Sequence, residues 1–268
     1  FYLYSKLISN LNLDNELVVI KSEKNKYLAV IDYTKEFVTN EGKIFLKNIN
    51  SIPSKILSST GVEFKIYKPS YKEFVLLMKR GPQIIYPKDS AQILIEANIH
   101  SSSNVLEIGT GSGALTLLLY TLISKSGSLT TLDISKTNQR RAQKTIKRYF
   151  SKNEINDENI LKFINVELEN FNFKELNYKI DTIITDVPEP WIFFKNNKIE
   201  NSITWVSYLP SISQISKIKE TLIENYFENI EIKEVIVRDW VVDNKIMRPS
   251  NRLVSHTGFI ISANFIKY

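Results

Sequence analysis

The chain has 268 residues, with 35 Lys and Arg against 29 Asp and Glu, a net charge of +6 and a hydrophobic fraction of 43%. That composition suits one large or two unequal globular domains with a sizeable core, and the positive charge favours an anionic partner, nucleic acid first, although abundant Lys, Ile and Asn also reflect AT-rich coding. With no cysteine and two histidines, disulfides, zinc-thiolate centres, cysteine nucleophiles and histidine metal clusters are excluded, so no metal site is expected. The apolar run 115–123 is about half of the roughly 20 residues a membrane span needs. The first residues, Phe1 to Lys6, lack the apolar core of a signal peptide. A soluble cytoplasmic protein with no membrane association is the expectation.

In chain order, residues 16–20, 27–31, 35–39 and 64–67 read as short strands separated by Asn, Asp, Lys and Gly clusters, the pattern of a small β-barrel or sheet domain over residues 1–70. Asn40-Glu-Gly42 is a candidate hairpin turn. Pro69 and Ser70 break this pattern, a short helix follows over 71–79, and the domain boundary is placed near 69–82. Asp89 is read as the N-cap of the next helix. From residue 104 onward strands (105–108, 128–133, 161–166, 182–185, 202–209, 230–242, 259–265) alternate with helices (114–124, 136–150, 212–226). The alternation predicts an α/β domain over 71–268, with a parallel sheet covered on both faces. The last two strands lack a helix between them and are expected to pair antiparallel at one edge.

The chain is organised around Asn104-Val-Leu-Glu-Ile-Gly-Thr-Gly-Ser-Gly-Ala-Leu-Thr116. Strand-forming residues run into Gly109, Gly111 and Gly113, and an apolar helix begins at Ala114, which makes a cradle for a nucleotide-like ligand. A dinucleotide fingerprint has the spacing G-x-G-x-x-G. Here it is G-x-G-x-G with Glu107 two residues before the first glycine, which points to the adenosyl and methionine parts of S-adenosylmethionine. Asp133, 20 residues after Gly113 at a strand end, is placed to accept from both ribose hydroxyls, ahead of the alternative of a helix cap. Glu167 after the third strand is either an acceptor for an adenine amino group or a solvated surface residue. Asp186-Val-Pro-Glu-Pro-Trp191 follows the fourth strand. Two prolines fix that backbone at a carboxyl strand end, with a carboxylate and a Trp that offers a stacking face for a base. Arg140, Arg141, Lys144, Lys147 and Arg148 read first as a solvated helix face and second as a nucleic-acid contact. His256 reads as structural.

Four segments stand in order: Arg80-Gly-Pro-Gln-Ile-Ile-Tyr-Pro-Lys-Asp89, Glu107 to Thr116, Asp186 to Trp191, and Arg248-Pro-Ser-Asn-Arg-Leu-Val-Ser-His-Thr-Gly258. The series resembles the tRNA (adenine-N1)-methyltransferases of the TrmI/Trm61 family, which modify adenosine 58 of the T-loop and, in some archaea, adenosine 57. The resemblance covers essentially the whole chain and implies a class I, Rossmann-like S-adenosylmethionine-dependent methyltransferase domain after a small β domain. It also implies a tRNA substrate and a homotetramer. Carried over by position, it implies that Ile85, Gly109, Thr110, Gly111, Ser112, Gly113, Ala114, Asp133, Glu167 and Leu168 line the S-adenosylmethionine site and that Asp186 is the catalytic carboxylate. Asp133 departs from the family's usual Glu, Glu167 from its usual Asp, and the Gly-Gly turn expected near 198–201 is missing. A methyltransferase for another RNA or a small molecule would share the glycine turn but not the segments 80–89 and 248–258. A non-enzymatic partner subunit of the same fold should lack the glycines and the Asp, and the glycine spacing disfavours a nicotinamide-dependent oxidoreductase.

Overall fold

A computed structural model describes residues 13–78, 83–123, 126–150, 160–176, 178–243 and 245–268. Arg80, Gly81 and Pro82 of the first family segment lie outside the described residues. The chain forms two compact units. One gathers the residues up to 79 with 147–155, and the other gathers 80–146 with 156–268.

The first unit holds β1 (Leu17–Lys21), β2 (Lys26–Val30), β3 (Glu36–Thr39), β4 (Gly42–Phe45), β5 (Ser54–Leu57) and β6 (Glu63–Tyr67). Four of them form an antiparallel sheet in the order β2-β1-β6-β5, and β3 and β4 form a hairpin. Alternation puts Val18, Ile20, Phe64 and Ile66 into the core from one face. The turn expected at Asn40–Gly42 is present, with Gly42 at φ 104°, where a residue with a Cβ is strained. Sequence reading missed β4 and β5, each four residues long and carrying a lysine. α1 (Tyr71–Leu77) starts at a capping box in which Ser70 and Glu73 satisfy each other's backbone N–H.

The second unit alternates α2 (Pro87–Glu96), β7 (Asn104–Ile108), α3 (Ala114–Leu122), β8 (Ser128–Asp133), α4 (Lys136–Tyr149, its last turn grouped with the first unit), β9 (Leu161–Asn165), β10 (Thr182–Thr185), β11 (Ile203–Leu209), α5 (Ile212–Glu224), β12 (Glu228–Lys233), β13 (Trp240–Asp243), β14 (Ile246–Pro249) and β15 (Phe259–Phe265). Seven strands make one sheet, β12-β15-β11-β10-β7-β8-β9, parallel except for β15, which runs antiparallel to both neighbours. Leu106, Ile183 and Trp205 feed the core on one face, and Val105, Ile184 and Val206 that on the other. Burial on both faces explains why these strands read as near-continuous apolar runs. Strand order reverses between β7 and β10, so the connections that follow them leave to opposite sides and open a crevice at their carboxyl ends.

Two expectations are corrected. The predicted strand 230–242 is two strands: β12 joins the large sheet beside β15, whereas β13 pairs with β14 in a separate ribbon. Asp89 is not an N-cap. Tyr86 holds that position, Pro87 opens the helix, and Asp89 sits in the first turn, fully buried between Lys88 and Thr257.

Gly113, at φ 79°, caps α3 while lying against α4. A Cβ there would fall 2.6 Å from the Ala142 Cβ and 2.7 Å from its Cα. Left-handed strain and overpacking add, so Gly113→Ala is expected to cost about 2–4 kcal/mol. The check is a lower urea midpoint at unchanged m-value.

Candidate active site at the strand-order reversal

A cleft of ≈ 540 Å³ opens at the carboxyl ends of β7, β8 and β10. Its walls come from the glycine turn (Gly109, Gly111), the end of β8 and the residues after it (Asp133, Ile134, Asn138), the segment after β9 (Val166 to Glu169) and the segment after β10 (Asp186 to Glu189), with Gln83 and Ile192 completing it.

The glycine turn is held from two sides. Gly109 and Thr110 both donate backbone N–H bonds to Leu132 O, at 2.9 and 3.0 Å. Asp186 N donates to Ile108 O at 2.8 Å, which brings the Asp186 carbonyl so close that a Cβ on Gly109 would lie 2.3 Å from its oxygen. Gly111 is different: its φ is 50° and nothing lies within 4 Å of where a Cβ would be, so the turn presents bare backbone to the cleft. Its N–H donates to Asp133 Oδ2 at 2.9 Å, and Ser135 N donates to Asp133 Oδ1 at 2.7 Å. Each carboxylate oxygen keeps acceptor capacity for a diol.

Two further carboxyls gather beneath and beside the turn. Glu107 is fully buried. Its Oε2 accepts from Thr116 Oγ1 at 2.6 Å, while Oε1 has no partner among the described residues. Burial pushes its pKa up to about 8, against the lowering by Thr116 and Thr131 and with smaller contributions from Asp186 and Asp133. Asp186 is half-buried, and desolvation pushes its carboxyl up to about 7.

Of the residues singled out in the sequence, Gly109, Gly111, Asp133, Glu167, Leu168 and Asp186 meet in this cleft. Glu167 is exposed and accepts from Asn170 Nδ2 at 3.2 Å. Ile85, Thr110, Ser112, Gly113 and Ala114 do not line it. Ile85 packs in the core with Ile93 and Val105. Thr110 is buried against Thr131 Oγ1 at 2.7 Å, and the buried Ser112 hydroxyl accepts from Ala114 N. Trp191 also stays out of the lining. Its ring packs against the core and carries Lys217 Nζ 4.0 Å from its centroid, so that face is already occupied. His256 bridges Glu234 and Pro210 O, and Glu234 raises its pKa. Arg140, Arg141, Lys144 and Lys147 are exposed, and Gln139, Ala142 and Ile146 form the buried stripe of α4. The loop lacking the Gly-Gly turn is anchored by buried Asn197, which bonds Phe173 N, Phe171 O and Phe193 O. Sequence reading missed Asn138 and Ile192, residues with no motif of their own, and it quoted Gln83 only as part of the 80–89 segment, without a role in the site.

The fold defines the class. An S-adenosylmethionine-dependent O-methyltransferase from Thermotoga maritima superposes with a TM-score of 0.86 over 98% of this chain and 97% of that one, at 22% identity. The fold is the Rossmann-like methyltransferase fold. The tRNA (m1A58) methyltransferase TrmI from Aquifex aeolicus is 28% identical with a TM-score of 0.77, covering 97% of this chain and 100% of that one. The tRNA (adenine(57)-N(1)/adenine(58)-N(1))-methyltransferase TrmI of Methanocaldococcus jannaschii is 30% identical over 270 residues, 91% of this chain and 93% of that protein. Residues 66–257 match the family described as tRNA methyltransferase complex GCD14 subunit, and the chain belongs to that family.

Burial raises the folded-state pKa of Asp186 above its ordinary value of 3.8. The stability tied to its protonated form is complete below that value and is lost as pH rises through about 7. Asp186→Asn should therefore raise Tm at pH 8 clearly more than at pH 5 in thermal unfolding. An equal change at both pH values counts against a desolvated carboxyl.

Proposed function

We propose that the protein transfers a methyl group from S-adenosylmethionine to N1 of adenine in the T-loop of tRNA, at position 58. The observation that carries this reading is the seating of Asp186 in the same cleft as the glycine turn, backbone against backbone at Gly109. Family membership supplies the substrate class.

The residues fit S-adenosylmethionine. The open space over Gly111 admits a ligand against the bare turn, the Asp133 carboxylate suits the ribose diol, and Glu167 with Leu168, in the same cleft, would take the adenine. The unpartnered Glu107 Oε1 beneath the turn is an acceptor that the protein itself leaves open. When bound, S-adenosylmethionine supplies a methyl group on a sulfonium, open to a nitrogen lone pair. The other roles fall to the chain. Asp186 accepts a hydrogen bond from the adenine N6 amino group, holds the Watson–Crick edge towards the glycine turn, and stabilises the positive charge that develops in the ring on N1 methylation. As its carboxylate it can also take a proton from N6. N1 lies on the pairing edge, so the base must leave its stack to enter, and the apolar Val187, Pro188 and Ile192 line the cleft where it would sit.

A cytoplasmic homotetramer completes the reading. No described helix is long and apolar enough to cross a membrane. The ribbon β13–β14 presents Trp240, Val242, Ile246 and Met247 at 54–72% exposure, a large apolar surface on a two-stranded element that is marginal by itself in water. Val242→Glu with Met247→Glu should lower the particle mass measured by light scattering, and a monomeric wild type would overturn the assembly.

Asp186→Ala should retain S-adenosylmethionine binding while losing about 10²–10⁴-fold of methyl transfer to an unmodified tRNA transcript. In the wild type, kcat/KM should rise with pH through about 7 as Asp186 ionises. The modified base is mapped by reverse-transcription stops. No stop in the T-loop, or near-wild-type turnover of the variant, would sink the proposal.

A further inference from the structure

The small sheet carries a feature that strand register alone brings together. Lys26 on β2 lies directly opposite Lys21 on β1, Lys21 opposite Lys65 on β6, and Lys65 opposite Lys55 on β5. Residues directly opposite point to the same face, so four lysines from four adjacent strands form one row across the sheet. All four are exposed. At a strand spacing of about 4.8 Å the row spans roughly 14 Å of backbone.

The two ends of the row are neutralised and its middle is not. Lys26 pairs with Glu73 at 2.8 Å and Lys55 with Glu63 at 3.0 Å. Lys21 and Lys65 have no carboxylate within ion-pair distance among the described residues. Lysines on edge strands have an ordinary structural use, since they deter edge-to-edge pairing, and β2 and β5 are the two edges. That use does not extend to β1 and β6, which are interior strands. Like charges directly opposite destabilise a sheet, so the Lys21–Lys65 pair costs stability and offers the sheet nothing in return. An external polyanion removes that repulsion.

A second observation lies beside the row. A hollow of ≈ 360 Å³ is lined by Pro53, Ser54, Lys55, Lys65, Ile66 and Tyr67. Lys55 and Lys65 stand opposite each other on its wall, and Tyr67 offers a ring beside them. A hollow flanked by two lysines suits a phosphate oxygen.

We propose that the Lys26–Lys21–Lys65–Lys55 row and the adjoining hollow form a docking surface for a nucleic-acid backbone, that of the tRNA. The inference rests on the methyltransferase reading for the identity of the RNA. It concerns phosphate contacts, which set affinity and salt dependence and carry no sequence information.

The test is the double variant Lys21→Gln/Lys65→Gln in the full chain, with an unmodified tRNA transcript as probe. Its KM for tRNA should rise about tenfold at unchanged kcat, and the slope of log affinity against log salt should flatten by about 1.5 to 2. S-adenosylmethionine binding should be unchanged. Tm should hold or rise, because a repulsion has been removed. Lys21→Arg/Lys65→Arg keeps the charges and should bind tRNA like the wild type. If the double Gln variant fails to fold, each single variant, expected to give half the change in slope, decides the matter. Unchanged KM and salt slope in a folded variant overturn the docking surface while leaving the methyltransferase reading intact. A wild type that methylates no T-loop overturns that reading, and direct binding of the transcript to wild type and variant still decides the row. Vesicles of anionic phospholipid that bind the wild type and not the variant, with tRNA affinity unaffected, would reassign the row to a membrane surface and overturn the proposal.

Discussion

The catalytic unit depends on how closely two backbones approach at the ends of β7 and β10. The Asp186 N–H reaches across to Ile108 O, and the Asp186 carbonyl then occupies the space that any side chain on Gly109 would need. On the other side of the turn, Gly109 and Thr110 both donate to Leu132 O at the end of β8. Three strand ends are thus stitched together through the tripeptide Ile108-Gly109-Thr110. The obstacle to a larger residue at 109 is peptide backbone and not a flexible side-chain tip, so it cannot yield locally. The glycine turn and the backbone of the segment carrying Asp186 are therefore fixed against each other.

The same strand ends concentrate acid. Glu107, Asp133 and Asp186 gather around a single turn, and Asp186 and Asp133 both act to raise the pKa of Glu107. The protein answers only part of this demand. Backbone N–H groups of Gly111 and Ser135 serve Asp133, Thr116 serves Glu107, and desolvation acts on Asp186 without a compensating donor. A region with surplus acceptor capacity and low hydration favours an incoming cation. Both the sulfonium donor and a methylated adenine ring are positively charged, so the electrostatics suit the start and the end of the reaction alike.

The parts of this fold legible in the sequence were those with a periodic or stereochemical signature. The central strands of the large sheet read clearly because both of their faces are buried, and the glycine spacing read clearly because Gly109 and Gly113 each need a conformation and a clearance that other residues lack. Where one residue type serves two purposes, the reading failed. Asp89 favours a cap position, but here it answers Lys88 and Thr257, a partner 168 residues away. Trp191 offered a stacking face, but its ring is engaged by the core and Lys217. The Val- and Ile-rich stretch from 230 to 242 has no strong turn signal, so its division between the edge of the large sheet and a separate ribbon was invisible. The lysine row was beyond reach for a related reason: positions 21, 26, 55 and 65 follow no period, and only strand register aligns them.

Lys88 illustrates how a single ammonium can do mechanical work. Its three donors are all filled, by Asp89 Oδ1 at 2.8 Å and by Val235 O and Thr257 Oγ1 at 2.6 Å each. Thr257 closes the ring by donating to Asp89 Oδ2. Val235 and Thr257 are the chain positions just before and just after the excursion that contains β13 and β14. Gly258 fixes the exit further, since its Cα sits flush on the Tyr208 ring with no room for a Cβ. The excursion is therefore a cantilever: both of its roots are held by one buried charge cluster, while the ribbon between them reaches away from the large sheet.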